Sequence, residues 1–392
     1  MAPNVPAVVV GGSLNGLGVL RSLAGRRIPL YLVETTRCCP AAWSRHATFV
    51  RAPRLDGDAL IEVLISLATK LGCRPVLILT LDPSVLTVSA SRKRLAEHYR
   101  IELPEPDIVS ALADKLAFQH WAEREGFPVP RSRSVRNLSE LEQLGELTPP
   151  VVLKPADKCL VLANVVERAV RAESIDEARL VAIRMLQRAP ALIAQEWIEG
   201  PDSQIYFTLF CADPTSRSAA IFPGRKLVCS PPAVGTTAVC VAAPEVADTL
   251  NVLTRTFIER TRYRGLGSLE FKRDSRTGHM LTVEPTVGRT DWQEEIAALC
   301  AVNLPLIAYQ SALGQTPPTV VLGPMLPAWR SERRFRLPRE ESSRTRIIDG
   351  HFRWNDPLPA AYYYGYERLV RRVFRRALRG IRSKMTYITG AL

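Results

Sequence analysis

Two glutamates carry the strongest chemical signal in the sequence. Gly267-Ser-Leu-Glu-Phe-Lys272 and Met280-Leu-Thr-Val-Glu284 read as an antiparallel hairpin joined over residues 273–279. Glu270 and Glu284 then take inward positions on neighbouring strands, where two carboxylates repel unless a cation sits between them. Lys272 lies two residues from Glu270 and faces the same side of its strand. It either touches an anionic ligand or neutralises the glutamates. Upstream, Lys154 ends a short strand before Pro155, from which its flexible stem can reach inward; taken alone, such a lysine is a solvated surface charge. Gly12-Ser-Leu-Asn-Gly16-Leu-Gly18 follows a strand and precedes a helix, with Glu34 closing the next strand. Glycines there let backbone N–H groups approach an anion at a helix N-terminus, which makes Gly12, Ser13 and Asn15 candidate substrate contacts. The spacing is GxxxGxG and not GxGxxG, so a tight turn needing small residues for packing explains it as well.

These groups need elements to position them. Residues 7–10, 29–33 and 75–79 read as strands and 19–24 and 59–71 as helices, an alternation that argues a parallel, doubly wound sheet. Residues 107–126 read as helical, ending in Gly126-Phe-Pro-Val-Pro130. Residues 174–187 read as a helix with Ser174 as cap and Glu177 three residues on. Strands follow at 192–198 and 204–210, then a helix at 248–262. Beyond Gln315 the chain turns rich in Pro and Arg, and a boundary is placed there.

Asp114-Lys115-Leu-Ala-Phe118, then Gly126 to Pro130, Leu153-Lys154-Pro155, Gln195-Glu-Trp-Ile-Glu-Gly200-Pro-Asp202, and last Glu270 and Glu284, come in an order that resembles the ATP-grasp superfamily. The nearest branch is that of the carboxylate–amine ligases, and the resemblance spans roughly residues 6–315. It implies an α/β chain with the ATP-grasp fold. A Rossmann-like pre-ATP-grasp domain with a doubly wound parallel sheet would take 1–106, and a small α+β subdomain with a linker helix 107–190. A large α+β subdomain with an antiparallel sheet and the metal site would take 191–317, and a basic extension 318–392. The resemblance also implies ATP and Mg2+ as cofactors. Lys115 and Lys154 would meet the phosphates, Gln195 to Ile198 would form the hinge, and Asp202 would bind the ribose hydroxyls. In that hinge the Glu196 carbonyl and Ile198 amide would pair with adenine, and Trp197 would line the base. Glu270 and Glu284 would hold the metal, which prefers oxygen ligands, with Lys272 near the phosphates and Arg289 holding the tetrahedral oxyanion. The implied activity joins a small-molecule carboxylate to an amine through an acyl phosphate.

Departures from that pattern are visible. Glu284-Pro-Thr286-Val-Gly-Arg289 stands where the family has Glu-x-Asn-x-Arg, so Thr286 replaces an Asn ligand; Thr286 could still offer one oxygen, and Asp291 or Glu294 could compensate. The loop after Lys154 lacks glycines, leaving Lys158 as its clamp. Arg225, Lys226 and 235–237 are further candidates for acceptor or phosphate contact. Two other readings stand: a nucleotide-binding relic without catalysis, and an NAD-dependent oxidoreductase built on Gly12 to Glu34.

The composition narrows the field. Hydrophobic residues make up 46% of the 392, and 23% are charged, which is ordinary globular usage. No apolar run is long enough to span a bilayer, and the start is a poor signal peptide, so a cytoplasmic protein is expected, with a homodimer allowed for. Eight scattered cysteines read as reduced thiols, and five histidines lack zinc-ligand spacing. Net charge is +13, with eight Arg or Lys and no acid over 368–384. Leu369, Val370, Val373, Phe374, Leu378, Ile381 and Met385 form one helical face there. That helix either docks on the core or touches anionic membrane from the inner face; nucleic acid is not expected.

Overall fold

The computed structural model describes residues 5–156, 166–213, 215, 219–315, 321–341 and 345–367. Its N-terminal sheet is parallel throughout, in the order β3-β2-β1-β4, from β1 (Ala7–Val10), β2 (Leu30–Glu34), β3 (Thr48–Arg51) and β4 (Val76–Leu79). All four residues of β1 are buried because both faces are covered. Val8 and Val10 pack toward the helix Gly57–Leu71, and Ala7 and Val9 toward α1 (Leu14–Leu23). Strand order reverses between β1 and β4, which opens a crevice at their carboxyl ends. Asn15 bridges it, its side-chain amide donating to the Thr80 carbonyl at 2.8 Å.

The second sheet is antiparallel, in the order β5-β8-β6-β7: β5 (Ser132–Val135), β6 (Val151–Pro155), β7 (Val170–Ala172) and β8 (Leu192–Glu196). Val135, Leu144, Leu153, Leu192 and the buried face of the helix Ile175–Leu186 give it a core of its own. Ser174 caps that helix as its type predicts, accepting from the Glu177 amide at 3.2 Å, while Glu177 reaches back to the Glu173 amide. The region read as one helix over 107–126 is two, Pro106–Ala113 and Lys115–Arg124. Asp114 breaks it by taking extended backbone and accepting from the Ala117 amide, which starts the second helix at Lys115.

The third sheet has seven strands: β9 (Ile205–Ala212), β10 (Ala219–Ser230), β11 (Thr236–Ala242), β12 (Gly265–Arg273), β13 (Met280–Val287), β14 (Ala328–Arg330) and β15 (Ile347–Asp349). Their order is β13-β12-β9-β10-β11-β14-β15. One face packs Phe210, Leu269 and Phe271 against the helix Ala247–Thr261, and the other packs Phe207 and Leu209 against the helix Leu304–Ala312. Every residue of central β9 is buried. The sheet continues past residue 317, because β14 pairs with β11 and carries the fully buried Trp329.

The segment after β15 is clamped to the front of the chain. Arg21 of α1 donates to the carbonyls of Gly350 at 2.7 Å and His351 at 2.8 Å and to the Asp356 carboxylate at 3.1 Å. The same carboxylate accepts from the Ser44 hydroxyl and the Arg45 amide, both at 3.0 Å. The amphipathic run over 368–385 lies outside the described residues, as does Lys158. No helix among the described residues is long and apolar enough to cross a membrane.

Candidate active site

The three sheets converge on one cavity of about 340 Å³. At one end lie Lys115, Lys154, Gln195 to Ile198 and Lys272. Lys154 points inward from β6, its ammonium donating to the Gln195 side-chain oxygen at 3.1 Å. Gln195 is itself held by Gln119 at 3.0 Å. Lys115, at the start of its helix, donates to the Pro155 carbonyl at 3.5 Å. After β8 the chain leaves the ladder: the Trp197 amide still bonds to the Pro150 carbonyl at 2.9 Å, whereas the Ile198 amide finds no partner among the described residues. Trp197 lies flat between two cations, with Lys272 at 4.3 Å and Arg171 at 4.7 Å from its ring centre. Burial lowers the pKa of Lys272 against the pull of Glu199, Asp202 and Glu270.

At the cavity's middle, Glu270 and Glu284 stand directly opposite in the β12–β13 register, as the hairpin reading requires. A cation does sit at the pair, and it belongs to the protein. Lys226 of β10, 5% exposed, places its ammonium against Glu270 Oε2. Burial opposes its charge, but Glu270, with Cys229 and Asp291, more than offsets that and holds Lys226 above the usual lysine range. The described residues contain no group of three or more His, Cys, Asp or Glu that could hold a metal ion. Two carboxylates, with Thr286 and Asp291 lining the same cavity, suit Mg2+ only when a ligand's phosphates complete its octahedron.

The far end is built from the crevice of the parallel sheet. Arg289 makes a two-pronged pair with Asp82, at 2.6 and 3.0 Å, and donates to the Thr290 carbonyl at 2.9 Å. Three of its five N–H donors are thereby engaged. Burial opposes the Arg289 charge, and Asp82, with Asp291 and Glu284, more than restores it. Ser13, Asn15, Trp292 and Gln293 complete this end. Asp82 is absent from the sequence candidates, although Leu81-Asp82-Pro83 carries a helix-start signal, with proline in the first turn.

Other sequence candidates fall elsewhere. Gly12 is outside the lining: its amide donates to Glu34 at 2.7 Å, and a Cβ there would strike the Cys39 thiol. Glu34 is thus engaged by the turn itself, accepting from Gly12 and from Thr35. Asp202 also misses the cavity. Its carboxylate accepts from the amides of Cys229 at 2.7 Å and Ala233 at 2.8 Å, bracing the loop that supplies residues 233–237 to the wall. Arg225 points away from its neighbour Lys226 and pairs with Glu341 at 2.6 Å. Glu294 is no ligand substitute either: it is 1% exposed, faces Gly18, and both its oxygens lack hydrogen-bond partners among the described residues.

No protein-family model and no curated protein matches the sequence. Solved structures do. N5-carboxyaminoimidazole synthetase from Staphylococcus aureus, complexed with ADP, aligns with a TM-score of 0.63 at 14% identity, over 83% of this chain and 81% of that one. Biotin carboxylase from Campylobacter jejuni aligns with a TM-score of 0.64 at 12% identity, over 83% and 75%. The biotin carboxylase domain dimer of Hydrogenobacter thermophilus 2-oxoglutarate carboxylase, with MgADP, ADP and bicarbonate, gives 0.64 at 14%, over 82% and 73%. At these identities the likeness is one of fold, and it extends over 82–83% of this chain: the chain has the ATP-grasp fold.

Proposed function

We propose that the protein is an ATP-dependent ligase that joins a small-molecule carboxylate to an amine through an acyl phosphate. One observation carries this reading: Lys115, Lys154 and Lys272, the hinge 195–198 and the opposed Glu270 and Glu284 line a single cavity. The synthetase and carboxylase neighbours, solved with ADP or MgADP, bind nucleotide on the same fold. Lys115 and Lys154 would meet the phosphates, Trp197 the base, and Glu270 with Glu284 would hold Mg2+. When bound, Mg2+ would draw charge from the phosphate oxygens. A carboxylate oxygen attacks the γ-phosphorus and ADP leaves; the amine then attacks the acyl carbon, loses a proton and expels phosphate. Arg289, fixed by Asp82, keeps two N–H donors for the reacting acyl group.

The test is phosphate release from ATP with pooled amino acids and, separately, bicarbonate with pooled amines. Release that needs both partners supports the ligase. Nucleotide binding without release under any pool favours the relic, the reading to which Thr286 points. For location, we propose peripheral contact with anionic membrane. Trp354, 89% exposed, and Leu358, 53% exposed, stand just ahead of the eight basic residues of 368–384.

A further inference from the structure

One member of the carboxylate pair, Glu270, is held by a lysine that crosses a strand to get there. Lys226 starts on β10, passes β9 and ends on Glu270 of β12. Strands two apart stand about 9–10 Å from each other, so the contact needs both side chains extended toward each other. A divalent ion at Glu270 and Glu284 would meet that ammonium at short range, in a partly buried site where like charges repel far more than in water. Lys226 also lines the cavity that holds Lys154 and Lys272, so an anion bound among them offers its ammonium a second partner.

We propose that Lys226 is a displaceable stand-in for the metal: it neutralises Glu270 in the ligand-free protein, keeps a divalent ion off the carboxylate pair, and yields Glu270 only when an anionic ligand arrives with the ion. The proposal rests on the nucleotide reading for the nature of that ligand. Metal entry is then coupled to anion entry, and the ligand-free protein does not collect free cations at the site.

Mn2+ is the probe, followed by the electron paramagnetic resonance of the free ion on the full chain, with and without ADP. Wild type and Lys226→Arg should bind Mn2+ weakly without ADP. Lys226→Met should bind at least about tenfold tighter, and ADP should narrow the gap. Equal Mn2+ affinity in ligand-free wild type and Lys226→Met overturns the proposal. Should Lys226→Met fail to fold by circular dichroism, Lys226→Gln takes its place, and wild type still decides wherever ADP binds: Mn2+ binding unaffected by bound ADP overturns the proposal. ADP binding without metal is measured on the same samples. If ADP does not bind yet Lys226→Met still gains Mn2+, the nucleotide reading falls and the role of the lysine stands.

Discussion

Replacing Lys154 by alanine removes one cation from the end of the cavity where a nucleotide's phosphates would lie. Its ammonium sits 3.1 Å from a neutral amide oxygen, a partner that phosphate oxygens can replace. A hydrogen bond to a charged group contributes about 1.5–3 kcal/mol. Lys115 and Lys272 remain in the same wall and take up part of the lost charge, so the lower half of that range applies. About 2 kcal/mol corresponds to roughly thirtyfold weaker ADP binding. Lys154→Met, which keeps most of the apolar stem, should lose nearly as much, because the loss is one of charge and not of packing. Titration calorimetry with ADP at two salt concentrations reads both effects, and the deficit should shrink at high salt as screening sets in. Should Lys154→Ala bind ADP within about twofold of the parent at an unchanged melting temperature, the phosphates lie elsewhere and the site assignment fails.

Glu270→Gln and Glu284→Gln should each abolish phosphate release while the fold survives; activity retained in both removes the metal assignment. Thr286→Asn should keep or raise turnover, and a complete loss would show that the hydroxyl is needed as it stands. Burial, with Glu295 beside it, raises the Glu294 pKa well above the usual carboxylate value, so the folded protein holds this carboxyl protonated while the unfolded chain ionises it. Stability from this group is intact below the ordinary pKa of about 4.3 and is lost as pH rises toward the folded value. Glu294→Gln should therefore melt near the parent in acid and above it at neutral pH; a constant difference across pH contradicts this. Full-length protein should sediment with anionic but not neutral vesicles at low salt, and Trp354→Ala should weaken that; partition insensitive to salt or lipid charge refutes peripheral docking.

The residues legible in the sequence are those whose orientation follows from local geometry. Glu270, Lys272 and Glu284 sit on paired strands, where a period of two fixes the face of Glu270 and Lys272 even though the register shifts just after the Glu270–Glu284 pair. The same rule separates Arg225 from Lys226: adjacent strand residues face opposite sides, and only Lys226 reaches the cavity. Asp202 cannot be placed that way. Its direction is set by the returning loop after β10, a contact about thirty residues distant in the chain. Gly12 misleads because the anion at its amide is the protein's own Glu34. The short strands β14 and β15, three residues each, carry too little pattern to be seen at all.

The clamp between Arg21 and the segment 350–356 sets the order in which a ribosome can complete this molecule. Helix α1 presents Ser13 and Asn15 to the reaction cavity, yet the carboxylate and carbonyls that hold its Arg21 are translated more than three hundred residues later. While the nascent chain is short of Asp356, the guanidinium, the Ser44 hydroxyl and the Arg45 amide all await one acceptor. Local parallel pairing can form the first sheet early and seat α1 on it through Leu17, Leu20 and the Asn15–Thr80 hydrogen bond, leaving the Arg21 end of the helix to be fixed last. On the ligase reading proposed above, the wall that bears Ser13 and Asn15 gains its last polar anchor only when Asp356 docks on Arg21.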